Sequence, residues 1–362
     1  MKPIRSILAS ALFLAIAMSV LLTPSTAMPS RLRQQGSLIT PFRMQSPASP
    51  PADTIYGTDR VLTNSLLAVA EFADGVKLVT VNPTTGQIDP VGTGSGAPSG
   101  TSPAQGISAL DAPGHRYFFS GFTGSSHNLF VIDTQTGVLL QSPSLSWLFT
   151  SLEFDTTSNT LLGVVSFADG TKVVTVDPTT GQVNPVGTGN GAPSGISPAQ
   201  GISALDMQGH RYFFRGYTGS SHELFVLDTQ TGILLQNPPL PLLFASLEFD
   251  STSNSLLGVV SFSDGTRVVT IDPTTGQVNP VGTGSGTPPD ISPAQGISTL
   301  DGEEQRFYFR GYTDSTQQLF ALDTQTGNLL QSPTLPIPFT SLELDVPVWM
   351  NPSLMYLPLI IR

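Results

Sequence analysis

Leu67, Leu162 and Leu257 head three near copies of one text, 95 residues apart. Asp74, Asp169 and Asp264 keep that spacing, as do Gly86, Gly181 and Gly276. A fixed period dictates architecture before local propensity does, because a unit too small to bury its own apolar faces must pack on its neighbours. Each copy is itself double. The turn text DPTTG at Asp177 returns as DTQTG at Asp228, and the steps between Asn82, Asp133, Asp177, Asp228 and Asp272 alternate between 51 and 44 residues. A unit of about half the long period has the length of a four-stranded propeller blade. The copies 67–161, 162–256 and 257–345 therefore predict an all-β, six-bladed propeller of antiparallel blades.

The strands of one unit read directly from the text. FASLEFD at 244–250 is a first strand, STSNS turns the chain, SLLGVVSF is the second strand, and Asp264-Gly265 suits a tight hairpin. RVVTID is the third strand. In DPTTG, Pro273 presets a turn φ, Asp272 accepts from the turn amides, and Gly276 takes the left-handed position. QVNPVG is the outer strand, where Pro280 fits because an edge needs no donor. The inner strands are apolar on both faces, as expected of sheets packed between two others. The first unit lacks a preceding SLEFD strand, and FTSLELD at 339–345 has no unit after it. Pairing 339–345 beside 66–72 completes the first blade and closes the ring, which removes the free edges of an open array.

Composition narrows the function classes. The chain has 362 residues, 11% of them charged, with 35 Gly, 31 Pro and a formal net charge of −11. An acidic chain without a basic stripe is a poor partner for nucleic acid. The absence of cysteine from the sequence excludes disulfides, thiolate metal sites and a cysteine nucleophile. Residues 1–27 read as a signal peptide: Lys2 and Arg5, an apolar run over 7–22, then Ser25-Thr26-Ala27. The expectation is a secreted or cell-surface protein that keeps no membrane span after cleavage. Residues 28–60 are a Pro/Ser-rich linker, 61–345 the propeller, and 346–362 an apolar tail broken by prolines. A monomer is expected.

The text LFVLDTQTGILL resembles the blade repeat of pyrroloquinoline-quinone-type propellers. Asp133, Thr136 and Gly137 match it, with Asp228, Thr231, Gly232 and Asp323, Thr326, Gly327. Gln141, Gln236 and Gln331 stand near the place of that repeat's tryptophan. The resemblance extends to secreted propeller domains with a D-P-x-T-G turn. It implies a blade fold and no quinone site, so no cofactor is expected, and the Asp and Gly are read as turn residues.

Propeller sites gather at one mouth of the central channel. The loops expected there carry Gln105, Gln200 and Gln295 in SPAQG, His127 and His222 with Gln317 in the third copy, and Arg215 and Arg310 with Ser120 in the first. These polar groups are the candidate ligand-binding set. His115 and His210, replaced by Gln305, sit in turns of the opposite face. Four histidines on two faces make a three-histidine zinc site unexpected, and no metal ligands are assigned. No nucleophile elbow, phosphate-binding loop or HExxH motif occurs. Glu153, Glu248 and Glu343 recur in first strands, which reads as structural. Catalysis needs different groups in different roles, whereas three like sectors present the same groups three times. The expected function is therefore an exported, non-catalytic binding or scaffold propeller with a protein or glycan ligand. The alternatives are a propeller-type lyase, hydrolase or dehydrogenase at the Gln/His/Arg loops, and a surface adhesion module.

Overall fold

The computed structural model describes residues 64–346, apart from 220, 314 and 315. The expected signal peptide, the linker and all but the first residue of the tail lie outside the described residues. Six four-stranded antiparallel sheets follow one another, each running from an inner to an outer strand. Blade 1 is Phe339–Asp345, Ser65–Phe72, Gly75–Val81 and Ile88–Pro90. Blade 2 is Thr101–Asp111, Arg116–Thr123, Ser126–Asp133 and Leu139–Gln141. Blade 3 is Phe149–Asp155, Thr160–Phe167, Gly170–Val176 and Val183–Pro185. Blade 4 is Ser197–Asp206, Arg211–Tyr217, His222–Asp228 and Leu234–Gln236. Blade 5 is Phe244–Asp250, Ser255–Phe262, Gly265–Ile271 and Val278–Pro280. Blade 6 is Ser292–Asp301, Arg306–Thr313, Thr316–Asp323 and Leu329–Gln331. The inner strands neighbour one another in sequence order around the ring, and blade 6 meets blade 1.

Ring closure takes the form the unmatched ends predict. Ser65 pairs with Asp345, Leu66 with Leu344, Leu67 with Glu343 and Ala68 with Leu342, so the last strand becomes the inner strand of the first blade. Closure gives Ser65–Phe72 a partner on both sides and completes the four strands of blade 1. The core consists of six apolar clusters, each spanning two adjacent blades. This is why second and third strands such as SLLGVVSF and HELFVLD bury both faces. The interfaces alternate in kind, so the ring is threefold rather than sixfold. Stacked pairs Phe119–Phe130, Phe214–Phe225 and Phe309–Phe320, with centroids 4.8–5.1 Å apart, recur only in the even blades.

The D-x-x-T-G turns behave as turn chemistry. Asp133 Oδ1 accepts from the amides of Gln135 and Thr136 at 3.1 and 2.7 Å, and Gly137 has φ 70°. At Asp177 and Asp272 the amides of Thr179 and Thr274 hold the carboxyl below the usual carboxylate range. His115 and His210 sit in turns with φ 54° and 52°, at the end of the ring away from the glutamines.

Candidate functional site

The inner strands of the even blades are irregular at one end. In blade 4, Pro198 pairs with Gly216 and Ser203 with Phe214, so residues 199–202 answer to the single residue Arg215. The same bulge sets 104–107 against Ser120 and 294–297 against Arg310. Each bulge carries the text A-Q-G-I and turns at a glycine with φ 69–70°. The three glycines meet one another. A Cβ built on Gly106 would lie 2.7 Å from the Gly296 carbonyl, one on Gly201 2.8 Å from Gly106 Cα, and one on Gly296 2.6 Å from Gly201 Cα. Only residues without a side chain allow three backbones this close.

The glutamines complete the plug. Gln105 Nε2 donates to the Gln295 carbonyl at 2.9 Å, Gln200 to that of Gln105 at 2.9 Å, and Gln295 to that of Gln200 at 3.0 Å. The bonds run in one rotational sense around the axis. Each amide keeps its second N–H and its Oε1 without a partner among the described residues, so the mouth presents three neutral donor–acceptor groups. Gln200 and Gln295 are exposed and Gln105 partly so.

Arg215 and Arg310 share this end of the ring but turn into the blade interfaces. Each donates through Nη1 to the carbonyl that opens the next inner strand, Phe244 for Arg215 and Phe339 for Arg310. Burial pulls both guanidinium groups below the ordinary arginine range. Ser120 stands in the same place in blade 2, with its Oγ 2.6 Å from His127 Nε2. Burial holds His127 below the usual imidazole range, offset in part by a Trp147 backbone bond. His127 stacks on Phe122 at 4.8 Å and His222 leans on Tyr217 at 5.0 Å. The structure thus brings the three glutamines together on the axis, sets the histidines among rim aromatics, and commits the arginines chiefly to joining blades.

Two arrangements of the ring escaped the sequence reading. The first is an apolar collar from the crossings into blades 3 and 5: Trp147 is 42% exposed, Leu148 64% and Leu243 56%. Ala199 and Leu242 share one apolar cluster, which places this collar beside the glutamine bulges. The residues preceding Phe149, Phe244 and Phe339 carried the signal as unusually apolar loop text, SWLF, PLLF and PIPF.

The second is the layer of Glu153, Glu248 and Glu343. Their carboxylates accept from Ser203, Ser298 and Ser108 of the following blade at 2.7, 2.6 and 2.7 Å. Removal from water pushes Glu153 up to about 7 and Glu343 up to about 8, with the serine bonds offsetting part of the rise. Glu248 lies well above its ordinary value for the same reason, raised further by the other two carboxyls. Beside Glu343 and Glu153, Tyr117 meets Ser341 at 2.8 Å and Tyr212 meets Ser151 at 3.0 Å. Beside Glu248 the tyrosine is Phe307, and the buried Ser246 Oγ has no partner. The acids were legible as repeated residues; that they share one coupled layer was not.

No protein-family model matches this chain, and no curated protein matches it. Among solved structures, it is similar to a chain of a nidogen/laminin complex, at 12% identity and TM-score 0.55, over 78% of this chain and 98% of that one. It is also similar to TolB from Acinetobacter baumannii, at 15% identity and TM-score 0.49, over 77% and 67%. A third is a 6-phosphogluconolactonase assignment from Bacteroides uniformis, at 14% identity and TM-score 0.45, over 75% and 82%. At 12% identity the first of these shows a shared fold and nothing of function. No helix among the described residues is long and apolar enough to cross a membrane.

Proposed function

We propose that this protein is an exported binding propeller whose contact surface is the glutamine-plugged mouth. The carrying observation is the plug itself. Gln105, Gln200 and Gln295 close the axis with one interaction repeated three times, and leave three like amides facing outward. A closed, threefold surface of neutral amides, ringed by exposed Trp147, Leu148 and Leu243, suits contact with a protein or glycan better than enclosure of a reacting centre. The glutamates do not supply an acid and a base in different roles, since each accepts from an equivalent serine.

The test is a thermal-shift screen of peptides and glycans on the secreted chain, followed by alanine substitution of the three glutamines. A ligand specific to the folded state raises the unfolding temperature. One Gln→Ala change should weaken binding modestly, at about 0.5–1.5 kcal/mol per lost hydrogen bond, and the triple change far more. Complete loss from a single change, with its two equivalents silent, would favour an enzyme-like asymmetric site. Mass measurement of the secreted form checks export, with a mature start expected near Met28.

A further inference from the structure

The residue facing each inner-strand bulge differs among the three copies, and the difference concerns charge. In blade 6, Arg310 is 3% exposed, out of reach of a ligand, and its two amino groups are both engaged: Nη1 donates to the Phe339 carbonyl, Nη2 to the Tyr312 hydroxyl, and the guanidinium lies 5.2 and 5.6 Å from the Tyr312 and Phe339 ring centroids, while Nε is enclosed without a partner. In blade 2 there is no cation, because Ser120 pairs with His127. Blade 4 keeps the cation without the partners. Arg215 donates through Nη1 to the Phe244 carbonyl, but the Tyr217 hydroxyl turns away to the Gly219 carbonyl at 2.6 Å. Nε of Arg215 is enclosed and unpaired, and Nη2 has no acceptor among the described residues. No carboxylate among the described residues answers the charge either. Glu223, on the adjoining strand, accepts instead from Thr218, Ser221 and Asn237.

A partly desolvated guanidinium without a counter-charge is costly, and its planar fork is matched to a carboxylate. The surroundings add the second half of the specificity. Tyr217, two residues along the same strand, is 40% exposed, and Leu243, which precedes the Phe244 carbonyl, is 56% exposed. We propose that Arg215, flanked by Tyr217 and Leu243, is a binding site for a carboxylate carried on an apolar body, such as the C-terminal end of a peptide with an aliphatic last residue. This rests on the reading of this mouth as the contact surface and names the chemistry it takes. The site is confined to one sector, because Ser120 carries no guanidinium and Arg310 is buried with Nη2 already bonded to Tyr312.

Arg215→Ser is the informative variant. It copies the residue of blade 2, and His222 already stands where His127 does, so the change recreates a pair the fold accommodates elsewhere. The full chain is titrated with N-acetyl-leucine, N-acetyl-leucinamide and glucuronate at constant ionic strength, by saturation-transfer NMR and calorimetry. The free acid should bind with a Kd on the order of 1 mM, and the amide at least about tenfold more weakly, since only the acid forms charge-assisted bonds. Arg215→Ser should lose the acid by a similar factor while keeping one cooperative unfolding transition. Equal binding of acid and amide, no binding of the acid, or an unchanged affinity in Arg215→Ser overturns the proposal. Preferential binding of glucuronate overturns the apolar body in favour of a sugar acid. If the glutamine variants weaken a screened ligand while Arg215→Ser leaves everything unchanged, the mouth reading stands and the carboxylate site falls. If Arg215→Ser loses the acid and the glutamine variants are silent, the reverse holds.

Discussion

The buried glutamates should make this ring more stable in acid than in base. An unfolded glutamate releases its proton near pH 4.5, whereas Glu153 holds on to about 7 and Glu343 to about 8. Below 4.5 both states are protonated and the burial carries no ionisation penalty. Between 4.5 and the folded value the native chain binds a proton that the unfolded chain has lost. Each pH unit there costs about 1.4 kcal/mol per group, and the loss levels off above the folded value. That is at most about 3 kcal/mol for Glu153 and about 5 kcal/mol for Glu343, upper limits because each side chain keeps some accessible surface. Glu343→Gln separates this effect from other titrations. An amide oxygen still accepts from Ser108, but the group no longer ionises. Urea unfolding followed by far-ultraviolet circular dichroism at fixed pH values between 4.5 and 9 reads the difference. The variant should match the parent near pH 4.5 to within about 1 kcal/mol and exceed it by several kcal/mol at pH 9, with a flatter profile. A parent more stable at pH 8 than at pH 5, or parallel profiles for the two proteins, would refute the argument.

Phe307→Tyr should restore the hydroxyl that Ser246 lacks and raise stability by about 1 kcal/mol, a gain that disappears in a Ser246→Ala background in a double-mutant cycle of thermal melts. Gly201→Ala should cost more than Gly195→Ala. Both pay about 1–2 kcal/mol for positive φ, but only Gly201 faces another backbone at 2.8 Å, while Gly195 has open space; equal losses would mean that the plug contact carries no weight. Truncation after Thr334 removes the inner strand of blade 1 and uncovers Leu66 and Ala68, so the chain should lose cooperative unfolding and aggregate on size exclusion.

The repeat in the sequence determined the number of blades, the strand order within each and the closure by 339–345, because these follow from equivalence along the chain and from two unmatched ends. The turn roles of Asp177, Gly181, Asp133 and Gly137 were equally local, since a side chain and the amides two and three residues on decide them. Tertiary structure alone decided what the equivalent residues do. Periodicity says that Gln105, Gln200 and Gln295 are alike, but not that a four-residue bulge carries them to the axis to close it. It shows an arginine in two copies, but not that Tyr312 bonds to one while Tyr217 turns from the other. It shows three glutamates, but not that they face one another through a common layer. The glutamine contacts join residues one or two full periods apart, at radial positions that a one-dimensional pattern does not encode. Small departures from the repeat, Phe307 for tyrosine and Ser120 for arginine, acquire meaning only when the partners they strand or satisfy are in view.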